Sequence, residues 1–311
     1  MSLLAVQAFL RACTLDIEAL KPGNVSLASP GHGMTAAQFM SSAAAAAPAV
    51  CRRSAPVGER ILAAVEATQA AAGCNTNLGI VLLCAPIAAA LESPEAQSRG
   101  EDSTVATPSA AALRRALLSV LDGLTVADAQ AAFRAIVLAN PGGLGDFAGQ
   151  DVHHAPTLDL RAAMNLARDR DRVARQYATG YADIFDIGLG EWQAAVPSAA
   201  HGHEGAAMQR AFREGAAMQR VFLAYLSRFP DSHIVRKQGL QVAQSVTRQA
   251  QHWRIRLSSD AAGAQAGLAR WGDELKAAGL NPGTSADLSV ATAFVASVIR
   301  LPPADVALAM R

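Results

Sequence analysis

The chain has 311 residues, 51% of them apolar, 17% charged and 5% aromatic, which excludes a disordered chain, a collagen-like fibre and a charge-built coiled coil. That length is enough to bury a sizeable core. With 27 basic against 26 acidic side chains, the net charge of +1 supplies no global field for nucleic acid or an anionic membrane, so an anionic ligand must be held by a local cluster.

Much of the apolar share is alanine, the strongest helix former, which leans the fold towards packed helices. Residues 2–20 read as a first helix ended by Pro22-Gly23, and a Gly- and Pro-rich loop follows over 21–34. An alanine-dense block covers 35–50, and a helix over 57–72 stops at Gly73. Asn75 or Asn77 is expected to cap the next helix, which runs to about Glu92, and an exposed polar loop is expected over 93–108. The longest apolar stretch, Leu78 to Leu91, spans only 14 residues and contains Pro86. A bilayer needs about 20, so no membrane partner is expected. Leu113, Leu117, Val120 and Leu124 keep the spacing of an amphipathic helix.

Asn140 to Gly145 is the strongest break in the chain, and a functional loop with helices on both sides is expected there. Further helices are expected over 157–178, 208–228, 233–252, 259–279 and 285–299, and no sustained period-two run marks a strand. The expectation is an all-α bundle of roughly a dozen helices, with residues 1–311 as a single domain.

Four scattered cysteines, Cys13, Cys51, Cys74 and Cys84, read as reduced core thiols, and no signal peptide is apparent, so a cytoplasmic protein is expected. The heptapeptide Glu-Gly-Ala-Ala-Met-Gln-Arg occurs at 204–210 and again at 214–220. Ten residues is not a whole number of helical turns, so the two copies should face different directions. The charged run Asp169-Arg170-Asp171-Arg172, with Arg175, Tyr177, Tyr181 and Asp183 beyond it, reads as a solvated helix face. His201 and His203 read as loop.

Five segments carry residue types that suit a polyanion. Lys21-Pro22-Gly23-Asn24 sets an ammonium, a flexible backbone and an amide at one turn, although a cation and a stop signal also suit a plain helix end. Asn75-Thr76-Asn77-Leu78-Gly79 opens an apolar helix, where free N–H groups and small residues admit an anion; simple capping is the alternative. Gly143, Gly145, Asp146 and Asp151 join glycines to two carboxylates, a pattern that suits Mg²⁺ beside a phosphate chain as well as a solvated turn. If a helix begins at Ser232, Asp231 caps it, and His233 and Lys237 share a face with Arg236 beside them; Gly239 follows. Ser285 and Asp287 lie at another helix start, where Thr284 and Asp287 have the spacing of a capping box. The chain has only three lysines against 24 arginines, and Lys21 and Lys237 both fall in these segments.

In this order the five segments resemble the triphosphoribosyl-dephospho-coenzyme A synthase family along nearly the whole chain. The matching stretches are K-P-G-N at 21–24, N-T-x-x-G at 75–79, G-x-x-G-D at 142–146, D-S-x-I-x-R-K-x-G at 231–239 and P-G-x-S-A-D-L at 282–288. The resemblance implies an all-helical, Mg²⁺-dependent transferase that moves a triphosphoribosyl group from ATP to the 2′-hydroxyl of 3′-dephospho-coenzyme A, releasing adenine. It implies Asp231 or Asp146 as the base and Asp146 with Asp151 at the metal. Lys21, Asn24, Asn75, Thr76, Asn77, Gly79, Gly143, Gly145, Arg236, Lys237, Gly239, Ser285 and Asp287 would hold substrate and phosphates.

The motifs also depart from the family. Gly31-His32-Gly33-Met34 lacks an aspartate, Asn77-Leu78 stand where a histidine and a lysine are usual, and Leu144 stands in place of an arginine. Each lost charge-assisted contact is worth about 1.5–3 kcal/mol. The pattern is more like a divergent archaeal and methylotroph-type branch, which implies an alternative acceptor in one-carbon carrier assembly, such as a tetrahydromethanopterin or methanofuran precursor. A helical protein that binds a nucleotide without turnover is a third alternative. Small-molecule partners are expected throughout, with a homodimer left open.

Overall fold

The computed structural model describes residues 3–97, 107–142, 150–196 and 206–299; Gly143, Gly145 and Asp146 lie outside them, as do His201 and His203. Among the described residues there are fifteen α-helices, one π-helix and no strand, so the all-α expectation is met. The first seven helices are α1 (Leu3–Glu18), α2 (Ala36–Val50), α3 (Val57–Ala72), α4 (Leu78–Ala90), the one-turn α5 (Pro94–Gln97), α6 (Ala110–Asp122) and α7 (Val126–Ala139). Next come α8 (Leu160–Ala167), α9 (Arg172–Thr179), the π-helix Asp183–Gly188 and α10 (Leu189–Ala195). The chain closes with α11 (Ala206–Arg228), α12 (Ser232–Gln238), α13 (Leu240–Ser259), α14 (Ala261–Ala277) and α15 (Gly283–Val298).

Helices α4 and α15 are apolar on nearly every side because they are buried on nearly every side. Helix α15 lies against α1, α4 and α11, while α2, α3 and α7 wrap the α4 side. Truncating a fully buried residue such as Leu83 to alanine would cost about 2–5 kcal/mol. No single described helix is long and apolar enough to cross a membrane. A second cluster, with Phe222, Leu226, Ile234, Leu268 and Trp271, joins α11 to α12, α13 and α14. Helix α11 serves both cores, since Met218 and Tyr225 face the first while Phe222 and Leu226 face the second.

Several expectations are corrected. The helix expected over 157–178 is two, because Asp171 breaks the run and caps α9, accepting from the N–H groups of Val173 and Ala174. The helix expected over 233–252 is also two, parted at Gly239 with φ 88° and extending on to Ser259. The polar stretch after Glu92 contains α5. The charged run is a solvated face only over its first residues. Asp169 is exposed, but Tyr177 and Tyr181 are buried, their hydroxyls donating to the carbonyls of Leu82 (2.6 Å) and Leu83 (3.0 Å). Asp183 is buried too, and Gln176 donates to it at 2.7 Å. The two heptapeptide copies do differ in setting: Gln209 and Arg210 are exposed, whereas Ala217, Met218 and Gln219 are buried.

Candidate functional site

The segments singled out in the sequence are bonded to one another. The turn at residues 21–24 lies on the loop before α15, where a Cβ at Gly23 would sit only 2.8 Å from Pro282 Cδ and 2.9 Å from the Leu280 carbonyl oxygen. That contact and a φ of 79° both call for glycine. Asn24 Nδ2 then donates to Asn281 Oδ1 at 3.0 Å. Asp231 caps α12 through one oxygen, accepting from His233 (2.9 Å) and Ile234 (3.3 Å), and its other oxygen accepts from Ser285 at the start of α15. Arg236 donates to the Gly142 carbonyl oxygen (3.4 Å) and pairs with Asp171 (3.0 Å), and Ser232 accepts from the N–H of Arg172 (2.9 Å). Asp287 lies so close over Gly79 that a Cβ there would overlap its carboxylate.

These contacts close a cavity of about 640 Å³, within the range of roughly 300–1,000 Å³ usual for small-molecule sites. All five segments reach its wall, through Asn24, the 75–79 turn, Gly142, the α12 residues His233, Arg236 and Lys237, and Asp287. Phe133 and Ile136 of α7, Met164 of α8 and Val173 of α9 give it an apolar flank. Polar and apolar halves in one cavity suit a ligand that carries both phosphates and a flat or aliphatic part.

At the start of α4, Asn75 Oδ1 accepts from the N–H of Leu78 at 3.1 Å, so Asn75 does the capping. Thr76 donates to Ser42 at 2.6 Å. Asn77 is buried at 4% exposure; its Oδ1 accepts from Thr68 at 3.0 Å, and its Nδ2 has no partner among the described residues. A buried amide left unpaired is costly, and this one belongs to a residue in the wall of a ligand-sized cavity.

Lys21 is buried and does not line the cavity. Its ammonium lies 2.7 Å from Asp16 and donates to Asn24 at 2.6 Å. It therefore stands behind two wall residues and balances one carboxylate. Lys237, by contrast, is exposed, lines the cavity and has no hydrogen bond or ion pair among the described residues. Asp231 and Ser285 are buried and bonded to each other rather than lining the cavity, and Gly239 lies beyond it at the end of α12. Asp151 neighbours the wall residues Gln150 and Val152, and one of its oxygens accepts from the N–H of His153 at 2.8 Å.

No capping box forms at Thr284 and Asp287: Pro282 is at the cap position, and Asp287 faces the cavity. Burial, followed by the neighbouring carboxylates of Asp16, Asp231 and Asp171, raises the pKa of Asp287 well above the usual carboxylate value. Burial also raises Asp231, against the four hydrogen bonds that favour its ionised form. His233 moves the other way. Burial, then Lys237, Arg236 and His32, lower it to about 4, so its imidazole is neutral at pH 7.

Two wall carboxylates were not anticipated from the sequence. Asp16 sits on the same helical stripe as Phe9, Ala12 and Cys13, and an acidic residue on an apolar stripe was the available signal. Asp171 was hidden inside a run that looked like surface charge. Cys74 is half-exposed in the wall, whereas Cys13, Cys51 and Cys84 are buried. No three His, Cys, Asp or Glu side chains converge as a metal cage among the described residues.

A solved structure from Archaeoglobus fulgidus, a provisional triphosphoribosyl-dephospho-coA synthase, superposes with a TM-score of 0.60 at 22% identity, covering 84% of this chain and 98% of that one. At that identity the likeness is one of fold. A comparison with curated proteins gives no match. Residues 3–304 match the family described as ATP:dephospho-CoA triphosphoribosyl transferase. With nearly its whole length matched, the chain belongs to that family of transferases.

Proposed function

We propose that the cavity binds ATP together with 3′-dephospho-coenzyme A and moves the triphosphoribosyl group onto the acceptor's 2′-hydroxyl, releasing adenine. One observation carries this reading: five segments far apart in sequence close a single cavity with cations, free helix N–H groups and carboxylates on its wall. Lys237 and Arg236 neutralise the triphosphate, and the first turn of α4 offers it N–H groups. The apolar flank beside Phe133 and Met164 receives the purine or the acceptor's aliphatic arm. Lys21 acts indirectly, by holding Asp16 and Asn24 in position. Asp231, with both oxygens occupied by four donors, positions α12 rather than taking a proton.

Mg²⁺ would be held jointly by the triphosphate and the protein's carboxylates. Such an ion needs only one or two carboxylates besides phosphate and water oxygens, so it does not require three converging side chains among the described residues. Asp151, next to the wall, and Asp146 are the carboxylates offered to it, and the ion supplies charge neutralisation on the phosphates. The enzyme works in the cytoplasm on small molecules.

The test is incubation with ATP, Mg²⁺ and dephospho-coenzyme A, followed by chromatography for free adenine. A second reading, the same transfer to a one-carbon carrier precursor, is favoured by Asn77 and Leu78, which leave the start of α4 without the cations usual there. It predicts adenine release only with that other acceptor. ATP binding with no adenine released from any acceptor would favour the non-enzymatic alternative.

A further inference from the structure

The loop between α1 and α2 is folded tightly and carries an imidazole in the cavity wall. Lys276 of α14 anchors it, donating to the Ser29 hydroxyl at 2.6 Å and to the Ser29 carbonyl at 3.2 Å. Gly31 and Met34 then exchange backbone hydrogen bonds of 2.9 and 3.2 Å, which close a turn with His32 and Gly33 at its tip. Both tip residues have positive φ, 55° and 74°, the pattern of a type I′ turn. Glycine or asparagine suits such a tip at least as well, so the turn alone does not call for an imidazole. The ring is pinned as well: Nε2 donates to the Gly23 carbonyl oxygen at 2.8 Å. A carbonyl only accepts, so Nε2 carries the hydrogen, and the neutral ring keeps its lone pair on Nδ1. His32 lines the cavity, and its Nδ1 has no partner among the described residues and is not buried.

A nitrogen lone pair takes a hydrogen-bond donor. The ionised triphosphate offers none, and the purine belongs with the apolar flank of α7, α8 and α9, so the donors left are the hydroxyls of the ribose and of the acceptor. Only the acceptor's attacking hydroxyl gives up its proton in the transfer. The other polar wall groups are less free to take it: Asp16 lies against Lys21, Asp171 caps α9 and pairs with Arg236, and His233 is held from protonation by burial and by Lys237 and Arg236.

Resting on the transfer reaction above, we propose that Nδ1 of His32 accepts the hydrogen bond of the acceptor's 2′-hydroxyl and takes its proton as the new bond forms. As that oxygen bonds to C1′ of the ribose, the C1′–N9 bond of ATP breaks and its electron pair leaves with adenine. The imidazolium keeps its hydrogen bond to the Gly23 carbonyl and passes the new proton to solvent. Adenine gains one proton from solvent, so charge and atoms balance with no oxidation or reduction.

The test compares wild type, His32→Asn and His32→Gly for adenine release from ATP with dephospho-coenzyme A, for ATP binding by calorimetry, and for thermal midpoint. Asparagine and glycine both adopt a positive φ readily, so both variants should melt close to wild type and keep the turn. Each should lower kcat by about 10²- to 10⁴-fold and leave the ATP dissociation constant within about threefold. Added imidazole should restore part of the rate of His32→Gly, in proportion to its concentration, and leave wild type unchanged. Full activity in His32→Asn would assign His32 to the turn alone and overturn the proposal, as would a slow His32→Gly protein that imidazole does not accelerate. A kcat loss matched by an equal loss of ATP binding would overturn it too. A wild-type protein that releases no adenine would overturn the substrate assignment and this proposal with it.

Discussion

Ser285 gives both its backbone N–H and its hydroxyl to a single oxygen of Asp231, each at 2.8 Å, and so ties the start of α15 to the start of α12. The second oxygen of Asp231 holds the first turn of α12. That tie sets where Arg236 and Lys237 point.

Removing Asp231 strands four donors at a site 3% exposed. Asp231→Ala should therefore cost about 3–5 kcal/mol of stability, and Ser285→Ala about 1.5–3 kcal/mol. Urea unfolding measures both. An Asp231→Ala protein with wild-type stability and no activity would assign the aspartate a chemical role instead.

Lys237 lines the cavity without a partner among the described residues, whereas Arg236 is held by Asp171 and Gly142. Lys237→Gln should weaken ATP binding by about 10- to 150-fold and leave the thermal midpoint unchanged. Arg236→Gln should lower both. Calorimetry and thermal melts separate the two variants.

The His233 imidazole is lowered from 6.5 to about 4, chiefly by burial and then by Lys237, Arg236 and His32. Between those values the unfolded chain takes up a proton that the folded protein refuses, so stability falls as the pH drops from 6.5 towards 4. The loss is roughly 2–3 kcal/mol across that window, and His233→Gln should remove it. A negatively charged ligand beside His233 raises its pKa again. Calorimetry of ATP binding near pH 5 should then show proton uptake, seen as a heat that depends on the buffer.

Of the four thiols, only Cys74 is partly exposed, and it lies in the cavity wall. Iodoacetamide should modify one cysteine per native chain, and ATP with dephospho-coenzyme A should slow that reaction. Mass spectrometry locates the label. Labelling of Cys13, Cys51 or Cys84 at native pH, or no protection by ligands, would contradict the described packing.

The helical class and the grouping of five turns are legible in the sequence, because glycine, proline and asparagine mark helix ends and an aspartate before Ser232 marks a cap. Helix breaks inside a periodic run are harder to see. Asp171 and Gly239 interrupt apolar stripes that continue beyond them; the first break comes from the capping side chain of Asp171 and the second from the positive φ of Gly239, not from a change of pattern. The burial of Tyr177 is readable in hindsight, since Val173, Ala174 and Tyr177 share one face of α9, whereas Tyr181 lies past the left-handed cap at Gly180 and is not on that stripe. The setting of Asp287 is not readable in this way. An acidic residue three positions after Thr284 fits a cap equally well, and only the packing against Gly79 decides which way it faces.

The most direct test of the account follows both products of one incubation with ATP, Mg²⁺ and dephospho-coenzyme A. Free adenine should appear in equal amount with an acceptor heavier by one triphosphoribosyl group, and both should vanish together when either substrate is omitted. ATP that binds but yields only ADP or AMP, with the acceptor's mass unchanged, would contradict it.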